Sequence, residues 1–142
     1  MRKTTSFAAA AAAAAALTFG TTTVPAAADA SAGAAARCSI KAFGYQGYYK
    51  CGTDVWKGYI DWNDDGRTDE VFVIAPDRTI WHTWKKAGGW KVMPGNGRAD
   101  NMVGENHVGG GRRCVVVYVN KGYHYWQNCF YKGKWHSWKQ TG

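Results

Sequence analysis

From Ser39 to Trp138 the chain alternates short apolar or aromatic runs with clusters of Gly, Asn, Asp and Pro. Runs of four to six residues rich in Val, Ile, Tyr and Trp, bounded by turn formers, read as β-strands. The pattern predicts strands at Ser39–Phe43, Tyr48–Cys51, Val55–Ile60, Glu70–Ile74, Thr79–Trp84, Gly89–Met93, Cys114–Val119, Tyr123–Cys129 and Lys134–Trp138. Ala75-Pro76-Asp77-Arg78 reads as a turn, with Pro and Asp in turn-forming places. Pro94 to Gly111 is rich in glycine and poor in strand formers, and reads as a long loop. No helical periodicity appears after the N-terminal segment, so the expected fold class is all-β with short antiparallel strands.

The strands fall into an internal repeat. With Gly66 laid on Gly111, 45 positions on, Arg67 meets Arg112, Val71 meets Val116, Trp81 meets Trp126, Gly88 meets Gly133 and Trp90 meets Trp135. Periods of this size suit blade-like antiparallel units. The expectation is two blade-like repeats of about 45 residues plus an N-terminal hairpin.

Met1 to Ala28 has the form of a secretory signal: Arg2 and Lys3, an alanine-dominated apolar stretch, then small residues at Ala26-Ala27-Ala28. The apolar stretch is too weak to predict a stable membrane anchor. Residues 29–36 read as a flexible leader, and residues 37–142 as a single all-β domain of a secreted, extracellular protein. Four cysteines, Cys38, Cys51, Cys114 and Cys129, then imply two disulfides. Three pairings are possible. Hairpins turning within Phe43–Gly47 and Asn120–Gly122 favour Cys38–Cys51 and Cys114–Cys129, since each hairpin sets its cysteines opposite one another.

The formal charge is +8, and about +6 once Arg2 and Lys3 leave with the signal. A basic surface fits an anionic polymer or an acidic partner, although the charges are mostly single residues among aromatics. Eight Trp and eight Tyr exceed what a small core can bury, so part of this aromatic area is expected at a binding surface. Trp81, Trp126, Trp90 and Trp135 occupy repeat positions and read as structural. Trp84, Tyr123, Tyr125, Tyr131 and Trp138 are freer and form the candidate ligand-binding set. Flat rings accept the C–H faces of sugars. They also suit a protein hot spot and, third in order, stacked bases.

Asp61-Trp62-Asn63-Asp64-Asp65-Gly66-Arg67-Thr68-Asp69 sets oxygen side chains at loop positions 1, 3, 5 and 9, with glycine at 6. That spacing suits Ca²⁺, with Asp61, Asn63, Asp65 and Asp69 as side-chain ligands and the Arg67 carbonyl as another. An EF-hand needs Glu at position 12, where this chain has Phe72 inside an apolar strand, so the loop is not of the helical type. The aligned positions of the second repeat, Asn106, Val108, Gly110 and Cys114, have lost the ligands, which predicts one cation site.

Asp61 to Val73 resembles the calcium-loop segment of FG-GAP/VCBS propeller repeats. The longer unit through Ile80-Trp-His-Thr-Trp84 and Gly88-Gly-Trp90 is similar to repeats of tryptophan-rich propeller lectins. The resemblance spans Tyr59–Trp90 and, more weakly, Gly111–Trp138. It implies blade-like sheets and glycan binding in aromatic pockets. A closed propeller needs more blades than this length holds, so the resemblance also implies assembly with further copies or closure in another way.

No nucleophile elbow, zinc-protease helix or comparable catalytic signature occurs, and an enzyme is not expected. Glu105, His107, Arg112, His124 and His136 offer acid–base and anion-binding groups without a recognisable arrangement. The expected function is a secreted, calcium-stabilised carbohydrate-binding module for a glycan or cell-wall polysaccharide. The alternative is a secreted inhibitor of an extracellular hydrolase, acting through the 94–111 loop.

Overall fold

Turn chemistry fixes the first element. Phe43 and Gly44 both have positive φ, 51° and 89°, as a two-residue hairpin turn requires. They join β1 (Arg37–Ala42) to β2 (Tyr45–Lys50) in antiparallel register. The Cys38–Cys51 disulfide closes this hairpin. The computed structural model describes residues 36–53 and 58–141, all within one compact unit, Ser31–Gly142. The expected signal, nearly all of the leader and the Val55–Lys57 part of a predicted strand lie outside the described residues. No helix occurs among the described residues.

A second sheet has the order β3 (Tyr59–Ile60), β4 (Glu70–Ile74), β5 (Ile80–Trp84), β6 (Lys91–Val92), antiparallel throughout. Every residue of β4 is buried, because both faces are covered. Val73 and Trp81, paired across β4 and β5, face the hairpin, where they line one hollow with Tyr48 and Trp90. Gly47 is required there: a Cβ on it would lie 2.4 Å from the Trp90 ring. The Trp90 indole donates to the Tyr45 carbonyl at 3.3 Å, and the Gly88 N–H to the Tyr45 hydroxyl at 3.1 Å. The opposite face, with Phe72, Ile74 and Ile80, enters the main core.

The third sheet comprises β7 (Asn101–Val108), β8 (Arg112–Val119), β9 (His124–Tyr131), β10 (Lys134–Trp135) and β11 (Lys139–Thr141). β7, β8 and β9 pair in sequence, and β10 and β11 share the far edge of β9. Met102, Val115 and Val117 from this sheet complete the core with Phe72, Ile74, Ile80 and Met93, flanked by Trp126, Trp135 and Trp138. Cys114 and Cys129 are direct partners in the β8–β9 register and form the second disulfide.

The segment 94–111, expected to be a loop, contains β7. Its Gly, Asn, Glu and His residues have low strand propensity, and what makes it a strand is its partner. The Val115-Val116-Val117 run of β8 pairs along it with Gly104, Glu105 and neighbours. The predicted strand at Lys134–Trp138 breaks after Trp135, where the His136 N–H is shared between the Asn128 side chain at 3.0 Å and the Cys129 carbonyl at 3.2 Å. Asn128 is fully buried, and its amide also donates to the Pro94 carbonyl at 3.0 Å.

The 45-residue offset maps the β3–β4 register, Tyr59↔Val71, onto Gly104↔Val116 in β7–β8. It slips by one in the next hairpin: Val73 pairs with Trp81, whereas Tyr118 pairs with Tyr125. One residue in a strand reverses the face. Trp81 therefore looks toward the hairpin, while Trp126, paired with the core residue Val117, packs on the core.

Candidate binding cleft

The Asp61–Asp69 loop fastens to itself. Asp61 accepts from the N–H groups of Asn63 (3.3 Å), Asp65 (3.2 Å) and Gly66 (2.6 Å). Asn63 accepts from the Asp65 N–H at 3.2 Å, and Asp65 from the Arg67 N–H at 2.9 Å. Positive φ at Asp64 (57°) and Gly66 (82°) makes the tight path. Desolvation pushes the Asp61 carboxyl up, but the N–H groups of Gly66, Asp65, Asn63 and Asp64 outweigh it and hold the group below the ordinary aspartate range. Asp69 is turned elsewhere, accepting the Trp62 N–H at 2.9 Å. Among the described residues no group of three His, Cys, Asp or Glu side chains is placed to share one metal ion. In this arrangement Asp61, Asn63 and Asp65 lie in one turn, with the Asn63 amide 3.5 Å from Asp65 Oδ2.

The five candidate aromatics are not brought together. Trp84 stands at the open end of β5, where it lines the largest cleft. Tyr131, at the end of β9, stacks on His136 at 3.6 Å and carries Arg112 over its ring at 4.9 Å. Tyr123 and Tyr125 lie near the opposite end of that sheet, exposed. Trp138 packs against the core, and its ring occupies the space that side chains at Gly95 and Gly97 would need.

The largest cleft found among the described residues, about 1120 Å³, opens where the second and third sheets end together. Trp62, Glu70, His82 and Trp84 line it from the second sheet and its β3–β4 loop; His107, Arg113, Phe130 and Trp135 line it from the third. Trp135 is the centre of the aromatic floor. Its ring lies 5.7 Å from Phe72, 5.9 Å from His82 and 5.6 Å from Phe130, all near edge-to-face, and 6.3 Å from Trp62. These are favourable quadrupole geometries that hold each ring in place.

Beneath the floor Glu70 is buried with both oxygens engaged. Oε2 accepts the Trp62 indole N–H at 2.9 Å, and Oε1 meets His82 Nδ1 at 2.5 Å. The carboxylate thereby fixes the orientation of two cleft-lining rings. Lys85, Arg112, Arg113 and Lys134 border the opening. A concave, rigid aromatic surface with a cationic border can stack a flat apolar face and attract negative charge.

Of the predicted binding residues only Trp84 lines this cleft; Trp62, Glu70, His82, Phe130, Arg113 and Trp135 were not singled out as binding residues by the sequence. Two signals pointed that way. Glu70 opens an apolar strand, where a carboxylate needs buried partners. His82 and Trp84, two apart on β5, share one face. Compared with known proteins, the chain matches no family model, no curated protein and no solved structure.

Proposed function

We propose that the chain is a secreted carbohydrate-binding module whose saccharide lies on the aromatic floor of the cleft. The observation that carries this reading is the pair Trp135 and Trp84 at the cleft: Trp135 is held by edge contacts to Phe72, His82 and Phe130, Trp84 lies exposed against His82, and both stand among polar and cationic borders above the buried Trp62. Fixed rings lose little entropy when a sugar face settles on them. Two disulfides are consistent with an oxidising, extracellular location. The inhibitor reading loses its named element, since 94–111 contains a paired strand instead of a free loop.

A polysaccharide pull-down and glycan-array screen of the chain from Ala30 onward tests the proposal. Saturable binding, with Trp fluorescence changing in step, is expected. Binding that survives Trp84→Ala and Trp135→Ala unchanged in folded protein would place the ligand elsewhere.

Calcium is proposed as a stabiliser of the 61–69 turn and not as part of the cleft. The support is the register of Asp61, Asn63 and Asp65 within one turn. Binding a cation here requires Asp69 to rotate from the Trp62 N–H or water to take its place. Asp65→Ala is expected to lower the melting temperature in Ca²⁺ and to have a smaller effect in chelator. An equal loss in both conditions rules the cation out, because Asp65 would then act only through its hydrogen bond to Arg67.

A further inference from the structure

The charges around the cleft are not balanced, and the imbalance has a definite geometry. Asp69 and Glu70 are its acidic residues, and both are engaged inward: Asp69 on the Trp62 backbone, Glu70 on the Trp62 indole and His82. The cations are not. Among the described residues the one ion pair of an Arg or Lys with a carboxylate is Arg78–Asp100, remote from the cleft. Lys85, Arg112, Arg113 and Lys134 border it without an acidic partner there.

Arg113 is the best defined of these. It is the second residue of β8, between Phe130 of β9 and His107 of β7 in the sheet register. Its guanidinium carbon sits 5.6 Å from the Trp62 ring centre and 5.2 Å from the Phe130 ring centre. Two aromatic faces thus hold a half-buried cation at the cleft wall. Aromatic faces engage a guanidinium through its charge and leave its N–H edge unpaired. That edge is a planar fork matched to two oxygens of one carboxylate or phosphate. Arg112, one residue earlier, is likewise held over Tyr131.

We infer that the cleft recognises an acidic saccharide, with Arg113 binding an oxyanion, carboxylate or phosphate, on a sugar stacked against Trp135 and Trp84. This rests on the carbohydrate reading above and goes beyond it by specifying the charge of the ligand and the residue that reads it. A neutral sugar would leave the stacked guanidinium unanswered and forgo the strongest polar contact the cleft offers.

The test measures binding of the chain from Ala30 onward to polygalacturonate, a phosphomannan, neutral galactan and oligothymidylate, at low and high salt. Preference for one of the two anionic saccharide polymers, weakening with salt, is expected, and which polymer wins identifies the oxyanion. Arg113→Gln should lower that affinity about tenfold or more, as loss of a hydrogen bond to a charged group does. Arg113→Lys should recover only part, since it restores charge without the fork. Thermal melting of both variants checks folding, and the salt and polymer comparisons on the unaltered chain stand without them. Equal binding to galactan, insensitive to salt and to Arg113→Gln, overturns the anionic subsite and leaves the carbohydrate reading intact. Tightest binding to oligothymidylate makes the ligand a nucleic acid and overturns both. Binding to none of the four overturns the anionic subsite, and the glycan array then decides the carbohydrate reading.

Discussion

Replacing Cys114 and Cys129 together by alanine should destabilise the protein more than replacing Cys38 and Cys51. Chain entropy alone does not predict this. The two bridges close loops of similar length, with separations of 15 and 13 residues, and each is worth about 3 kcal/mol on that basis. Location makes the difference. Cys114 is wholly buried beside Val115 in the strand that supplies one wall of the core. Its truncation adds a cavity term of about 1 kcal/mol. Cys38 and Cys51 are partly exposed and staple a hairpin lying on the outer face of the second sheet. Alanine is the right replacement, because serine at position 114 would bury a hydroxyl. Urea unfolding of both double variants reads the result directly. Equal losses, or a larger loss for the hairpin bridge, would show that the third sheet does not depend on its cross-strand staple.

The same bridges show where the sequence was legible. Each disulfide was readable because a turn signal lay midway between two cysteines, so local pairing sufficed. β4 was readable to the residue, since Val71–Ile74 is an unbroken apolar run that follows Glu70 and a glycine-bearing turn. β7 was not, because its strand character comes from Val115-Val116-Val117 more than ten residues away. The opposite facing of the aligned Trp81 and Trp126 was hidden for a related reason. A one-residue difference in hairpin register is invisible in spacing, yet it moves a side chain through the sheet.

The cleft was the least legible feature. Trp62, His82, Arg113, Phe130 and Trp135 come from a loop and four separate strands. No sequence interval links them; they meet because the two sheets end at the same level. Arg67–Arg112 looked like a repeat pair, but the neighbouring Arg113 is the residue held between two aromatic rings. The sequence did supply the ingredients, an excess of Trp and Tyr interleaved with single basic residues, without the arrangement.

Glu70→Ala should be the most damaging single change at the cleft, and Glu70→Gln much less so. Alanine leaves the Trp62 indole N–H and His82 Nδ1 without their partner in a buried setting. Each orphaned group costs about 1–3 kcal/mol, so a loss near 3 kcal/mol or more is expected. Glutamine keeps the shape and can still accept from Trp62. Its amide can donate to Nδ1 when the His82 ring carries its proton on Nε2. What it gives up is charge assistance, about 1 kcal/mol. Urea unfolding gives the stabilities, and near-ultraviolet circular dichroism reports the Trp62–Trp135 environment. Saccharide binding, measured where each variant is fully folded, should fall for alanine and persist for glutamine, because the carboxylate acts by orienting rings and not by touching ligand. Equal damage from both substitutions would mean that the negative charge itself is required, and Glu70 would then have to balance the cations at the cleft border instead of the rings beneath it.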